Sequence, residues 1–263
     1  MPPEPTLSVI LITRNEAHNL EDCLQSVRAL AGEIVIVDSA STDGTLDIAR
    51  RYGALLASPS DWPGFGPQKN RALDLATGKW VLSIDADERV PADLAREIAA
   101  VLAADTSGLA YKIPRLSWYC GRFIRHSGWR PDYVVRLFRR GQARFSDDLV
   151  HEQLLPTVPV KALRNSLLHY SYLDFSQVLR KTDAYSTAAA QQAFANGKRS
   201  SLGKALGHGF WAFVRTYLIR AGFLDGAHGL ALAISNAQAS YYKYLKLWHL
   251  GQAPMKKPPE GGF

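Results

Sequence analysis

"EIVIVDSASTDGTLDIARRYGALLAS", Glu33 to Ser58, holds a strand, a loop, a helix and a second strand in succession. Glu33–Asp38 is a short β-branched run, "DSASTDGT" a polar loop, "TLDIARRYG" a helical pattern ending in glycine, and "ALLAS" another strand. Strands this continuously apolar are buried on both faces, and a helix between two of them makes the pair parallel. The same rhythm extends on either side. "LSVILIT", Leu7–Thr13, reads as a strand followed by an amphipathic helix over Asn19–Ala29 that Gly32 closes. "NRALDLATG", Asn70–Gly78, reads as a helix, and "KWVLSI", Lys79–Ile84, as a fourth strand. The pattern predicts an α/β sandwich, a mostly parallel sheet with helices on each side.

In such sheets ligands bind beyond the carboxyl ends of the strands. Polar residues gather there: "TRNE" after the first strand, "DSASTDGT" after the second, and "DADE", Asp85–Glu88, after the fourth. If the chain stays extended, Asp85 and Asp87 point the same way while Ala86 turns inward. Two carboxylates aimed at one point repel unless a cation lies between them, and Mg or Mn takes such oxygens together with phosphates. The plainer reading makes "DADERV" the solvated acidic start of a helix over Ala92–Ala103.

The chain has 263 residues, 31 Lys and Arg against 24 Asp and Glu, and a formal charge of +7. That excess suits a polyanionic partner without choosing among nucleic acid, an anionic membrane surface and a phosphorylated substrate. Cys23 and Cys120 form no metal-ligand spacing, and Cys23 reads as a small core residue. The start "MPPEPTLSVI" lacks the pattern of a secretory signal, and no apolar run approaches the ~20 residues of a membrane span. A reduced, cytoplasmic setting is expected.

From Gly108 to Tyr172, short runs such as "LAYKIPRLSWY", "YVVRLFRR" and "VKALRNSLLHYSYL" predict antiparallel additions to the sheet edge. This is where an acceptor would be recognised: Trp118, Tyr119, Trp129 and Tyr133 could stack on sugar faces and Arg122, Arg125, Arg130 and Arg136 could pair with acceptor phosphates, although any single one is more often packing or a solvated charge and only their clustering counts. From Phe175 the pattern is helical. Phe210, Phe213, Val214, Tyr217, Ala221 and Leu224 share a face, with Trp211 and Leu218 beside it, and "LALAISNAQASYYKYLKLWHL" interleaves aromatics with lysines. Such helices either lie in a membrane interface or pack on the sheet domain. The tail "GQAPMKKPPEGGF" reads as disordered.

"SVILITRNEAHNL", "IVIVDSASTDGT" and "QKNRALDLATGKWVLSIDADE", in this spacing, resemble the family-2 glycosyltransferases, which have the GT-A fold and use nucleotide-sugar donors. "RLFRRGQARFSDDLVHEQL" and "GFLDGAHG" are similar to the bacterial subgroup that adds sugars, often glucose onto heptose, to the lipopolysaccharide inner core. The resemblance implies that Thr13, Asn15 and Glu16 line the nucleotide pocket and that Asp38 holds base or ribose. It further implies that Lys69 and Asn70 close around uridine, that Asp85 reaches the ribose and that Asp87 binds the metal. Asp38 as a turn or cap residue, Asn70 as a helix-start residue, and Arg14 and Arg71 as rim charges are the structural alternatives. His169 is either a further metal ligand, as in some GT-A enzymes, or a core histidine.

Inverting transfer needs a base for the acceptor hydroxyl. Glu152 in "LVHEQL" is the candidate, in an apolar context expected to raise its pKa, with Asp147 and Asp148 as rivals and His151 as a neighbour. The expected organisation is a nucleotide-sugar half over 1–106, an acceptor part over 107–173, a membrane-associating helical region over 174–250 and a tail over 251–263. The expected function is a metal-dependent inverting glycosyltransferase moving a sugar from a UDP-sugar, UDP-glucose among the candidates, to a lipopolysaccharide core or other lipid-linked or phosphorylated glycan. It would work peripherally at the inner face of a bacterial cytoplasmic membrane, with no nucleic-acid partner. A nucleotidyltransferase shares the sheet and the metal. A phosphatase would carry D-x-D near its first strand, an oxidoreductase G-x-G-x-x-G, and a nucleic-acid module would leave the acids unexplained.

Overall fold

The computed structural model describes residues 6–105, 108–147 and 152–252. Two compact units divide the chain: Met1–Ser117 with Pro131–Tyr170, and Trp118–Arg130 with Ser171–Phe263. Strands β1 (Leu7–Thr13), β2 (Glu33–Asp38), β3 (Leu55–Ala57) and β4 (Trp80–Ser83) are parallel, in the spatial order β3-β2-β1-β4. The sheet continues as β8-β6-β12-β5, formed by β5 (Glu88–Arg89), β6 (Ala110–Tyr119), β8 (Asp132–Arg139) and β12 (Leu167–Tyr172). The β4–β8, β8–β6 and β12–β5 pairs are antiparallel, as the edge additions were expected to be. Strand β7 (Arg122–Phe123) pairs with β6 antiparallel, but β11 (Val160–Ala162) pairs with it parallel, against the expected antiparallel addition, while β9 (Ala143–Phe145) and β10 (Leu154–Pro156) form a separate ribbon.

Helices α1 (Ala17–Val27), α2 (Thr45–Arg51), α3 (Phe65–Leu75) and α4 (Ala92–Ala104) accompany the sheet. In α1, Leu20, Cys23, Leu24 and Val27 are fully buried at i, i+3, i+4 and i+7, one apolar stripe facing the core. Each fully buried aliphatic side chain of this kind contributes about 1.5–3 kcal/mol. Burial pushes the Cys23 thiol well above the ordinary range, consistent with a packing role. Two apolar clusters result, one containing Leu20, Leu24 and Trp80, the other Ile10, Val37 and Phe138.

Three local readings of this unit are corrected. Helix α3 begins at Phe65, not Asn70, which places Asn70 inside the helix. "VKALRNSLLHYSYL" is two strands, β11 and β12. Strand β4 stops at Ser83, and "DADE" is a turn closed by the Glu88 N–H donating to the Asp85 carbonyl at 2.9 Å. Alternation therefore does not govern Asp85 and Asp87, and the two carboxylates meet different partners.

The second unit holds α5 (Phe175–Ala195), α6 (Leu202–Val214) and α7 (Gly226–Leu250), the last two joined by a π turn over Arg215–Ile219 and a 3-10 turn over Gly222–Asp225. "GFLDGAHG" is an ordering device. Buried Asp225 accepts the Arg125 and His126 N–H groups at 3.0 and 2.9 Å and the Ser127 hydroxyl at 3.1 Å. A Cβ on Gly229 would lie 1.8 Å from the Gly222 carbonyl oxygen, so only glycine permits that approach. Tyr119, expected as a sugar platform, is buried against Trp129, Tyr172 and Phe175 at ring separations of 5.7–5.9 Å. It packs this unit instead. Most of the segment 251–263, expected to be disordered, lies outside the described residues.

Candidate active site

The register of β1 on β2 sets Thr13 beside Asp38 at the carboxyl ends of both strands. The Thr13 hydroxyl donates to Asp38 at 2.8 Å, and the Ser41 N–H and hydroxyl donate to the same carboxylate at 2.8 and 2.6 Å. Asp38 is thus engaged in folding the "DSASTDGT" loop at its own strand end. Asn15, at φ +56°, donates its N–H to Ser41 and accepts the Thr42 N–H, each at 2.8 Å. The Glu16 N–H donates to the Thr45 hydroxyl at 2.8 Å. Two polar loops, 25 to 30 residues apart in sequence, are knit into one surface. Burial, assisted by the charge of Asp87, raises the Glu16 pKa above its ordinary value.

Beside this surface, Lys69, Asp85, Arg115, Tyr133, Arg136 and Glu152 help to line a cavity of about 410 Å³. Lys69 lies 2.8 Å from Glu152 and 3.1 Å from Asp85, bridging two carboxylates whose residues are 67 positions apart. Burial opposes the lysine charge, but Asp85 and Glu152 more than offset it, and the pKa is raised. Arg136 reaches Asp85 at 2.5 Å and Glu88 at 2.7 Å. Glu88 is fully buried and also accepts the Asp85 N–H at 2.9 Å. Burial raises the Glu88 pKa despite Arg136. For Asp85 burial acts the same way, yet Arg136 and Lys69 hold its carboxyl far below the usual carboxylate range.

Two sequence expectations change here. Glu152 sits against the Lys69 ammonium rather than in an apolar setting. Asn70 does not open to a ligand: its amide nitrogen donates to the Phe145 carbonyl and its oxygen accepts the Phe145 N–H, both at 2.9 Å. It pins β9, and with it one wall of the cavity. Gly66 allows the same approach, since a Cβ there would fall 1.8 Å from the Ser146 carbonyl oxygen. Asp147 is exposed, and Asp148 and His151 lie outside the described residues.

Pairing of β12 with β5 opposes His169 to Glu88, and the Tyr170 N–H donates to the Asp87 carbonyl at 2.9 Å. That register brings His169 Nε2 to 3.3 Å from Asp87 Oδ2, while Nδ1 lies 3.2 Å from the Ser117 hydroxyl. Among the described residues no three His, Cys, Asp or Glu are grouped to hold a metal ion. Asp87 and His169 instead pair with each other. The Asp87 carboxylate is the kind of oxygen donor that Mg or Mn takes one or two at a time, with water and substrate phosphates completing the shell, whereas imidazole is the less usual donor for these cations.

Arg136 and Glu88 belong to this charge network, and the sequence singles out neither: Glu88 is given no role, and Arg136 is one of four arginines that could pair with phosphates or be packing or a solvated charge. Strand β8 shifts register against β6 at this point, between the Tyr111–Leu137 and Lys112–Val135 pairs, so alternation along the sequence does not mark Arg136.

The arrangement is that of an α/β fold with a charged cavity at its strand ends. The family model "Glycosyl transferase family 2" matches residues 8–173, and the chain belongs to that family. It is therefore a glycosyltransferase, and the sheet with its antiparallel additions is its form of the GT-A architecture. A Rhizobium meliloti protein, "Lipopolysaccharide core biosynthesis glycosyltransferase LpsC", is 31% identical over 94% of this chain and 94% of its own length. An uncharacterized glycosyltransferase of Rickettsia typhi is 29% identical over 93% of this chain and 87% of its own. The crystal structure of S. aureus TarS 1–349 in complex with UDP is similar at a TM-score of 0.49 and 16% identity, covering 95% of this chain and 93% of that one.

Proposed function

We propose that the enzyme transfers a sugar from a UDP-sugar, with inversion at the anomeric carbon, to a lipopolysaccharide core or another lipid-linked or phosphorylated glycan. The setting is the cytoplasmic face of a bacterial membrane, with residues 1–106 serving the donor and 107–173 the acceptor. The observation that carries this reading is the Asp85–Lys69–Glu152 bridge lining the cavity. The named role of the Rhizobium relative supports the acceptor class.

In this reading Glu152 takes the proton of the acceptor hydroxyl as its oxygen bonds to the anomeric carbon. The bond from that carbon to the diphosphate oxygen breaks, and UDP leaves with the electron pair. Lys69 holds Glu152 in place, and Arg136 fixes Asp85 against Lys69. The strand-end loops carrying Thr13, Asn15, Glu16 and Asp38 receive the nucleoside. A divalent cation at Asp87 and His169 would neutralise the diphosphate.

Calorimetry of UDP with and without Mn²⁺ tests the donor site. The wild type is expected to bind UDP more tightly with the metal, and Asp87→Ala to lose that dependence without a change in melting temperature. Asp87 is partly exposed, so truncating it opens no core cavity. Metal-dependent binding as tight as wild type in the variant would remove Asp87 from the site.

A further inference from the structure

The charge excess is confined to one unit. The second unit holds 14 of the 31 Lys and Arg but only 4 of the 24 Asp and Glu, a formal +10 against −3 for the first. Its described acids are all engaged: Asp174 caps α5, Asp183 pairs with Lys246 at 2.6 Å, and Asp225 is buried under the Arg125–Ser127 loop. Between Asp183 and Glu260 the sequence has no acid except Asp225.

Helix α6 in this unit is packed inside out. Ala205, Gly209, Ala212 and, one turn on, Thr216 form its buried stripe. A Cβ on Gly209 would stand 3.1 Å from Tyr241 Cβ and 3.3 Å from the Ala237 carbonyl, so small residues bring α6 hard against α7. The large residues face outward: Leu202, Leu206 and Phe210 recur at i, i+4 and i+8, with Leu206 63% and Phe210 71% exposed. Phe213 stacks on Tyr217 at 5.5 Å, and Tyr217 meets Phe223 at 6.3 Å, which carries the ridge past the helix end. Lys204, Arg215 and Arg220 are exposed along the same segment, and Lys198 and Arg199 just before it. The aromatics of α7, in contrast, are mostly half-buried in the unit.

We propose that α6 and the turn after it are a docking face for an anionic phospholipid bilayer, the Leu202–Leu206–Phe210 ridge entering the interface and the basic residues meeting lipid phosphates. A contiguous apolar ridge is costly in water, and a rim of cations without acids selects an anionic surface. No helix of the described residues is long and apolar enough to cross a membrane, so contact through this face would be peripheral. The inference gives the membrane setting proposed above a specific surface and does not depend on the reaction.

The test is flotation of the full-length protein with phosphatidylglycerol-rich and with pure phosphatidylcholine vesicles, without nucleotide sugar. Wild type is expected to float with the anionic vesicles, less at high salt but still measurably, because the apolar contact is not screened. Leu206→Asp/Phe210→Asp is expected to lower partitioning by about tenfold or more, since each change sets a charge where an apolar group would be buried. The variant should keep the wild-type melting temperature and its turnover on a water-soluble acceptor. Equal flotation of wild type and variant would overturn the proposal. So would a wild-type dimer, split by the double substitution, that does not float, because the face would then join two copies of the chain. Turnover is read separately, so failure of the glycosyl-transfer reading would show as no activity in either protein with flotation unaffected.

Discussion

Glu152→Gln is expected to lower kcat by about 10²–10⁴-fold, the usual loss when a general base is removed, while UDP binding and the fold persist. The amide keeps the size of the side chain and an oxygen to accept from Lys69, which lies 2.8 Å from Glu152 Oε1 in the wild type. It cannot take up a proton. Lys69 retains Asp85 at 3.1 Å, so the ammonium is not stranded and the cavity wall should stand. Steady-state rates at saturating acceptor, together with calorimetric UDP binding, separate chemistry from assembly. A variant that turns over near the wild-type rate would exclude Glu152 as the base and direct attention to Asp147.

The largest stability effect is expected at Arg136. Arg136→Met removes the cation that lies 2.7 Å from fully buried Glu88, leaving Arg115 at 3.8 Å as the remaining guanidinium. Breaking one side of a buried pair costs about 3–5 kcal/mol. The pH dependence distinguishes this from a packing defect. The Glu88 pKa is already raised by burial, and without Arg136 it rises further. A carboxyl whose folded pKa exceeds its unfolded value destabilises the fold above that folded pKa, and the penalty fades as pH falls towards the unfolded value of about 4.3. Asp85 works in the opposite sense. Its folded pKa is depressed, so the wild type has the full benefit above the unfolded value of about 3.9 and loses it on further acidification. The gap between wild type and variant in urea unfolding should therefore be wide at pH 7 and narrow towards pH 5. A gap that is small, or constant with pH, would mean that Glu88 is not held as a charged group by Arg136.

The parallel half of the sheet was legible because β1, β2 and β4 are short apolar runs ending in polar loops, and because glycines follow their helices. Periodicity is a local signal, and these elements are local. The turn at Asp85–Glu88 was not legible, because D-A-D-E alternates as well in a strand as in a turn. Only the Glu88 N–H bond to the Asp85 carbonyl decides between them. Nothing in the sequence around Glu88 marks a buried carboxylate, since its partner Arg136 lies 48 residues away on β8. The meeting of Asp87 and His169 depends in the same way on how β12 registers against β5. Asn70, set against uridine by the resemblance and otherwise read as a helix-start residue, lies inside α3, which starts at Phe65, and its amide bonds the backbone of β9.

The second unit shows a different kind of ambiguity. Phe210, Phe213, Val214, Tyr217, Ala221 and Leu224 were expected on one helical face, but α6 ends at Val214 and a π turn and a 3-10 turn follow, while the series Ala205, Gly209, Ala212 and Thr216 is buried. Size, not hydropathy, determines which series packs. Two helices approach most closely where side chains are small, and Tyr241 takes the space that the Gly209 side chain lacks. Composition shows the basic excess of the chain as a whole. Its confinement to one unit required the fold to show which residues belong together.

The central proposal is that this cavity transfers a sugar from UDP to an acceptor hydroxyl with inversion. Incubating the protein with UDP-sugars, Mn²⁺ and extracted lipopolysaccharide core acceptor, then following the nucleotide product and the anomeric signals by NMR, tests it most directly. The expected result is free UDP in step with a new glycosidic signal of configuration opposite to that of the donor. Release of pyrophosphate, or a product that keeps the donor's configuration, would contradict it.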